Sequence, residues 1–251
     1  MHRKSIIFQP PFLNVLDSRL KIYSLGDSAA VLDLGNEISV ALNQKILAVE
    51  KRLQQKPFEG LRDIIVAYSS ITVYYDPLAI KKKIAPSGTV CQWVGAQLRE
   101  AFDNSFHEVV SNGHVIRLPV CYDPVFGPDL DKVAAEKNMS RESLIALHTS
   151  RPYRVYMIGF LPGFSYMGEL DQQLGMKRKP IPEPVVAGSV GITSLQTGIY
   201  PLNSPGGWHI IGRTPVKMFD SASLKPVNLK AGDQVQFFTI SKEEFDRQIH
   251  S

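Results

Sequence analysis

The fold of this chain is decided by residues 159–215, which read GFLPGFSYMGELDQQLGMKRKPIPEPVVAGSVGITSLQTGIYPLNSPGGWHIIGRTP. Ten of the 18 glycines and seven of the 17 prolines fall in this stretch, and most of them separate short apolar runs. Glycine tolerates positive φ, and proline fixes φ while removing an amide donor, so both favour tight turns between short strands. Turns of defined shape on a β scaffold commonly carry binding or catalytic residues. The stretch therefore predicts a β-rich domain with a site among its turns.

The flanking sequence sets the bounds of this predicted β domain, residues 106–243. Residues 114–123 alternate as a strand, and two helices follow, the first opened by Gly-Pro-Asp at 127–129 and the second capped by Ser140. After the second helix the strands are short, numerous and separated by turns. This pattern predicts a β barrel or sandwich with two helices packed at its side. The last residues, 244–251, are assigned to a C-terminal tail.

The N-terminal part shows a different pattern, in which helical periodicity alternates with pairs of strands. Two strands surround a Gly-Asp turn at 26–27, a helix follows, two β-branched and aromatic strands come next, and a second helix lies at about residues 88–103. The order β-β-α-β-β-α predicts a small two-layer α+β domain over residues 19–105. Residues 1–18 are assigned to an N-terminal arm. The apolar positions of the first helix recur at steps of three and four: Ile38, Leu42, Ile46, Val49 and Leu53.

The composition argues against several classes of protein. The net charge of +4 arises from 28 basic and 24 acidic residues that are interspersed, unlike the basic stripe of a nucleic-acid-binding protein. No apolar run approaches the roughly 20 residues of a membrane helix, and no secretory signal is recognised. Cys91 and Cys121 are isolated and the histidines form no HxH or HExxH pair, so no metal site is expected. These features predict a cytoplasmic protein.

Four motifs in the chain resemble those of one known family. They are GF-x-PGF-x-Y at 159–166, AGSV at 187–190, QTGIYP at 196–201 and PGGW-x-IIGRTP at 205–215. In this order they resemble the family that contains the B subunit of 5-oxoprolinase, the Kip kinase inhibitor and allophanate hydrolase subunit 1. The resemblance implies an α+β chain, with a small ferredoxin-like domain followed by a cyclophilin-like β barrel with flanking helices.

The resemblance also implies a function. It indicates the B subunit of a multi-subunit 5-oxoprolinase, which opens the ring of 5-oxo-L-proline to L-glutamate with ATP and is inactive without its partners, the A and C subunits. The chain has no GxxxxGK[ST] loop, so ATP is expected on another chain. Two alternatives remain open. One is a Kip-type inhibitor that binds a sensor histidine kinase, and the other is a component of an allophanate- or urea-processing carboxyltransferase-type hydrolase.

Three residues are candidates for the chemistry that the resemblance implies. His148 would transfer a proton, Gln196 would orient an amide or carboxyl group, and Arg213 would bind a carboxylate through its planar fork. Each residue also has a structural interpretation: a cation at a helix C-terminus, a satisfied β-turn and a surface ion pair, respectively. Opening a lactam ring further requires that charge developing on the carbonyl oxygen be stabilised.

A second set of residues would line the substrate site with apolar walls and small polar groups. The predicted substrate-binding residues are Phe160, Pro162, Phe164, Tyr166, Ser189, Thr197, Gly206, Gly207 and Trp208. The aromatic members suit the barrel core as well as a pocket wall. The basic run Lys-Arg-Lys at 177–179 suits either an anion or partner contact or a solvated face. Where relatives show an arginine this chain has Pro182, and where they show a proline it has Val186, which leaves anion binding less secure than family membership.

Overall fold

The computed structural model describes residues 19–105, 115–225 and 227–249. These residues form two compact units, one on each side of the segment 106–114. The predicted N-terminal arm, residues 1–18, lies outside the described residues. Within the described ranges, no helix combines the length and apolar character needed to cross a membrane.

The first unit is a four-stranded antiparallel sheet with helices packed against it. Its elements are β1 Lys21–Ser24, β2 Ala29–Asp33, α1 Val40–Gln55, β3 Leu61–Val66, β4 Ser70–Tyr75, α2 Pro77–Lys83 and α3 Val90–Asn104. The strands lie in the order β1-β2-β4-β3, and α1 and α3 contact each other as well as the sheet. The succession matches the predicted order of strands and helices, with α2 as an additional helix.

Helix α1 buries the predicted apolar stripe together with one charged residue. The buried apolar residues include Leu42, Ile46, Val49 and Leu53. Lys45 is buried beside them, and its ammonium donates to the Phe102 carbonyl at 2.8 Å and to Ser105 Oγ at 2.7 Å, at the end of α3. Burial lowers the pKa of Lys45 to about 7, an effect that the charge of Asp103 partly opposes. Lys45 therefore joins the two helices through a buried ammonium group.

The second unit is built around a seven-stranded sheet in the order β12-β9-β10-β7-β6-β13-β5. Its elements are β5 Val115–Val120, α4 Leu130–Glu136, α5 Arg141–Thr149, β6 Tyr153–Ile158, β7 Ser165–Gly168, β8 Glu183–Val185, β9 Ser189–Thr193, β10 Gln196–Ile199, β11 Ser204–Gly206, β12 His209–Arg213, β13 Gln234–Thr239 and α6 Lys242–Ile249. Neighbouring strands are antiparallel except for the parallel pair β13-β5. Strands β8 and β11 form a separate two-stranded ribbon.

The two edges of this sheet meet, so the sheet is barrel-like rather than one layer of a sandwich. The amide of Cys121, just after β5, donates to the Arg213 carbonyl at 2.8 Å, and the Arg213 amide donates back at 2.9 Å. Gly212 permits this approach, because a Cβ there would lie 2.8 Å from Cγ1 of Val120 and 2.9 Å from the Cys121 carbonyl oxygen. We call this junction between the two sheet edges the barrel seam. Its close backbone contact requires glycine at position 212.

Helix α6 occupies most of the segment assigned to a C-terminal tail. Phe245 is buried and its ring centroid lies 4.1 Å from that of Phe126. The helix is capped reciprocally, since Ser241 Oγ accepts from the Glu244 amide at 3.2 Å and the Glu244 carboxylate accepts from the Ser241 amide at 2.9 Å. The segment is helical as far as Ile249, because one aromatic anchor and a capping box hold it on the second unit.

Candidate functional site

Strands β9 and β10 separate two groups of predicted site residues. Successive side chains of a strand point to opposite faces of a sheet. On one side, Val190, Ile192 and Ile199 join the main apolar cluster, and we call this side the core face. On the other side, the paired residues Gly191 and Gly198 carry no side chain, and we call this side the aromatic face. The same two strands therefore contribute to both groups.

The aromatic face carries a second apolar cluster centred on Phe164. The Phe164 ring stands edge-on to Tyr200 and Trp208, with centroid separations of 5.0 and 5.4 Å. A Cβ on Gly198 would lie 2.9 Å from Cζ3 of Trp208 and 3.1 Å from Cζ of Phe164, so the bare backbone makes room for both rings. Phe164, Tyr200 and Trp208 are all buried. They fill a second core, and this is the structural interpretation of the predicted aromatic residues.

The turn before β7 places Phe160 at the accessible edge of this cluster. The Gly159 amide donates to the Phe164 carbonyl at 3.1 Å, and the Phe164 amide donates to the Leu161 carbonyl at 3.0 Å. Phe160 has φ +68°, a conformation that residues other than glycine rarely adopt. The residue is 60% exposed, and its ring stands edge-on to Phe164 with 5.6 Å between the ring centroids. A strained backbone thus holds one aromatic ring in solvent, with the exposed Pro162 in the same turn.

Gln196 and Tyr166 share the aromatic face and are both half-buried. Tyr166 is paired with Gly198 across β7 and β10, and Gln196 precedes Gly198 by two residues on the same side of its strand. Tyr166 also contacts Phe164 at 4.7 Å between ring centroids. The structure therefore brings Phe160 and Tyr166 to the accessible rim of one cluster and places Gln196 on the same face of the sheet.

Gly206 and Gly207 contribute close backbone approaches to the same region. A Cβ on Gly206 would lie 2.4 Å from the Tyr200 hydroxyl, and a Cβ on Gly207 would lie 2.8 Å from Nε of Arg178. Burial raises the pKa of Tyr200, while a hydrogen bond from the Trp208 amide and the charge of Arg178 act in the opposite direction. The two glycines therefore allow a phenol and a guanidinium to lie against the main chain.

His148 and Thr197 lie on the core face, on the opposite side of β10 from the aromatic cluster. Nδ1 of His148 is 2.7 Å from the Tyr122 hydroxyl, and Nε2 is 3.0 Å from Oγ1 of Thr197. The imidazole stacks on Phe237 at 4.9 Å and on Tyr153 at 5.4 Å between ring centroids. His148 is fully buried. The ring therefore links α5 to β10 inside the protein.

Thr197 fixes the tautomer that we assign to His148. Its hydroxyl donates its single proton to the Gly191 carbonyl at 3.1 Å, so it must accept from Nε2 of His148. Nδ1 is then the acceptor for the Tyr122 hydroxyl. Burial lowers the pKa of His148 to about 3 and raises the pKa of Tyr122 well above its ordinary value. The imidazole is neutral with both nitrogens occupied, and its predicted role in proton transfer stays a prediction.

Arg213 and Ser189 form a cross-strand pair of β12 and β9 near the barrel seam. Nε of Arg213 donates to the Ala187 carbonyl at 2.8 Å, and its guanidinium lies 5.8 Å from the ring centroid of Phe245. Burial lowers the pKa of Arg213, and Ser189 is buried. One donor of the guanidinium group, Nε, is thus already hydrogen-bonded within the protein. The predicted carboxylate binding by Arg213 stays a prediction.

Sequence reasoning missed two residues of these networks. Tyr200 lies inside the motif QTGIYP and could have been considered with the other aromatic residues of the stretch. Tyr122 follows β5 with no local signal, since its partner His148 is 26 residues away. Across residues 19–105, 115–225 and 227–249, no three His, Cys, Asp or Glu side chains are grouped so that they could hold a metal ion.

The barrel-like second unit and its glycine-rich turns have a counterpart among known domains. The chain belongs to the carboxyltransferase domain family, subdomains C and D, whose model matches residues 20–229. The matched range includes both groups of residues around β10.

Several similar proteins are named as parts of one enzyme. The B subunit of 5-oxoprolinase from Bacillus subtilis (strain 168) is 39% identical over 233 residues, which cover 90% of this chain and 95% of that protein. The B subunit of 5-oxoprolinase from Escherichia coli O157:H7 is 36% identical over 220 residues, covering 87% of this chain and 95% of that one. The crystal structure of TTHA0988 matches with a TM-score of 0.71 and 34% identity, covering 85% of this chain and 40% of that chain. The chain therefore spans nearly all of these two curated relatives and less than half of TTHA0988.

Proposed function

We propose that this chain is the B subunit of a multi-subunit 5-oxoprolinase, which hydrolyses 5-oxo-L-proline to L-glutamate with ATP. One observation carries the proposal: the match to the B subunit of the Bacillus subtilis 5-oxoprolinase covers 90% of this chain and 95% of that protein at 39% identity. A match of this extent includes both units, so it supports a shared role as well as a shared fold. It also supports a ferredoxin-like first unit and a cyclophilin-like second unit.

The reaction needs more than this chain. Hydrolysis adds water across the stable amide bond of the lactam, and it requires activation of the carbonyl oxygen, where negative charge develops. The chain has no GxxxxGK[ST] loop, which supports placing ATP on a partner chain. The relatives are named as subunits, which supports the presence of partner chains. We expect these partners to be the A and C subunits. We expect this chain to be inactive without them, and we expect the complex to act in the cytoplasm.

The aromatic face is the substrate-facing surface in this proposal. Phe160 and Tyr166 would pack against the flat lactam ring, and the Gln196 amide would hydrogen-bond to its amide or carboxyl group. The accessibility of these three side chains supports this assignment. Phe164 and Trp208 would support the surface from beneath.

His148 takes a positioning role in this proposal. Its contacts with Tyr122 and Thr197 lie on the core face, so no contact supports direct transfer of a proton to a ligand on the aromatic face. By holding Thr197, His148 fixes the segment of β10 that carries Gln196. A variant that breaks the network should therefore lower the stability of the second unit as well as activity.

Reconstitution tests the proposal. The chain would be co-expressed with candidate A and C subunits from the same genome, and ATP-dependent formation of glutamate from 5-oxo-L-proline would be measured. We expect activity with all three chains and none when this chain is omitted or assayed alone. Full activity without this chain would reject the proposal, and tight binding of the chain to a histidine kinase dimerisation domain would then favour the inhibitor alternative.

A further inference from the structure

The basic run at 177–179 follows the backbone of residues 207–209. The Lys179 amide donates to the Gly207 carbonyl at 2.8 Å, and Nε2 of His209 donates to the Lys177 carbonyl at 2.9 Å. The residue between these two contacts, Arg178, is thereby held at a defined place. The run is therefore anchored through its main chain at the edge of the aromatic face.

Only one of the two lysines in this run has a clear structural use. Nζ of Lys179 lies 2.7 Å from Oδ2 of Asp129 and 2.6 Å from Oε2 of Glu183, and the side chain is 9% exposed. Burial acts to lower the pKa of Lys179, but the hydrogen bonds to both carboxylates outweigh burial and raise it. Lys177 is exposed. Lys179 thus belongs to an ion-pair network within the protein and is not available to a ligand.

Arg178 differs from Lys179, because its side chain is exposed. Its guanidinium makes no hydrogen bond or ion pair with any residue that the structure describes. Its side chain lies against Gly207, where an added Cβ would be 2.8 Å from Nε and 3.1 Å from Cγ. Burial raises the pKa of Tyr166 and the Arg178 charge opposes this rise, so the guanidinium acts on a phenol at the rim of the cluster. A guanidinium with no hydrogen bond or ion pair to the described residues therefore lies near the half-buried phenol of Tyr166.

We propose that Arg178 binds the carboxylate of a small cyclic amide whose flat ring packs on Phe160 and Tyr166. The planar fork of arginine matches a carboxylate with two parallel hydrogen bonds. This assignment rests on the proposed function, and it gives Arg178 the carboxylate-binding role that the sequence analysis gave to Arg213. The contacts of Arg213 favour this reassignment, because its Nε already donates to the Ala187 carbonyl.

Four variants in the reconstituted complex test this role. Arg178→Ala should raise KM for 5-oxo-L-proline by about 10- to 100-fold with little change in kcat, the range expected for a lost charge-assisted hydrogen bond. Arg178→Lys, which keeps the charge but loses the fork, should give a smaller rise. Gly207→Ala keeps every charge and adds a methyl group where the Arg178 side chain lies, so it should also raise KM. Lys177→Ala removes one charge from the same run and should leave KM within about twofold of the wild type, since an exposed charge acts weakly at a distance.

A neutral ligand separates carboxylate binding from other effects. The amide of 5-oxo-L-proline lacks the carboxylate, so its inhibition constant should be the same for the wild type and Arg178→Ala. Unchanged KM for 5-oxo-L-proline in Arg178→Ala would overturn the proposal. Loss of complex assembly in gel filtration would also overturn it, because Arg178 would then bind a partner chain.

A binding measurement on the full chain keeps this test independent of the enzyme assay. If the wild-type complex shows no 5-oxoprolinase activity, the proposed function fails, and titration of the chain with 5-oxo-L-proline decides on Arg178. With Trp93→Phe in every protein compared, so that Trp208 beside Gly207 is the reporter, we expect quenching of its emission by 5-oxo-L-proline and not by the neutral amide. An identical response in Arg178→Ala, or none in the wild type, would reject the site.

Discussion

Replacing His148 with glutamine should make the second unit less sensitive to acid. His148 is neutral, fully buried and hydrogen-bonded at both ring nitrogens, and burial lowers its pKa from 6.5 to about 3. The unfolded chain exposes the imidazole, which then binds a proton near pH 6.5. Below this pH the unfolded state holds more protons than the folded state, so stability falls as pH falls from 6.5 toward 3.

The size of the effect follows from these two pKa values. At pH 5.5, one unit below the unfolded pKa, protonation favours the unfolded state by about 1.4 kcal/mol. Glutamine does not titrate, so the free energy of unfolding of the variant should lose about 1.4 kcal/mol less between pH 7.5 and pH 5.5 than that of the wild type. The variant should be less stable at pH 7.5 by roughly 1–3 kcal/mol, because it leaves buried partners unsatisfied.

Urea unfolding followed by fluorescence measures this difference. The chain has two tryptophans, so Trp93→Phe leaves Trp208 as the reporter of the second unit. All other titrating groups are common to both proteins and cancel in the comparison. Equal losses of stability in the wild type and in His148→Gln between the two pH values would refute the assigned neutral, buried imidazole. A titration of the His148 imidazole near pH 6 in the folded protein, measured by NMR, would refute this assignment as well.

Three further changes test other parts of the structure by the same urea method. Thr197→Val should cost roughly 1–3 kcal/mol because it leaves the imidazole N–H without an acceptor, while Thr197→Ser, which keeps the hydroxyl, should cost less. Gly212→Ala should destabilise the second unit by roughly 1–3 kcal/mol, since the new Cβ would lie 2.9 Å from the Cys121 carbonyl oxygen at the barrel seam. Lys45→Met should abolish a rise in the stability of the first unit between pH 7 and about 10.5, where the wild type gains at most about 1.4 kcal/mol per pH unit because its unfolded state holds the extra proton. A wild-type stability that does not rise over this range, measured by Trp93 emission, would contradict the lowered pKa of Lys45.

Local patterns were sufficient to predict the helices that follow simple rules. In α1 the repeating apolar positions are buried, because a helix of this period packs one stripe on a sheet. Ile38, the first of the predicted positions, precedes the helix and is 44% exposed. The caps also follow local rules, since Ser140 accepts from the Ser143 amide at 3.1 Å as predicted. Periodicity therefore predicted the buried face better than it predicted the first residue.

Helix α2 was missed although its start carries a recognisable signal. The Asp76 side chain accepts from the Ala79 amide at 2.9 Å, and Pro77 occupies a position where no amide partner is needed. The last turn of this short helix consists of the lysines of residues 81–83, which add charge but no apolar position to the helical pattern. A helix of seven residues is too short for its apolar pattern to stand out.

The candidate site depends on contacts that no local pattern reports. The sequence marked residues 159–215 as the functional stretch, but it did not show which side of each strand a residue takes. His148 meets Thr197, 49 residues further along the chain, and the seam joins Cys121 to Arg213. These partners are set by the register of the closed sheet, which depends on all of its strands together. The motifs therefore predict a functional region, and the strand pairing divides the residues of that region between two faces of the sheet.

In the proposed site, the glycine pair of β9 and β10 separates the residues assigned to the ligand from those that pack the barrel interior. Gly191 and Gly198 send no side chain toward the aromatic rings, whereas Thr197 is tied to the opposite face by hydrogen bonds. Rings of other sizes can therefore be exchanged at the accessible rim during evolution without repacking the barrel interior. On the proposed assignment, ligand preference can change by one rim residue at a time while the packing of the barrel interior stays the same.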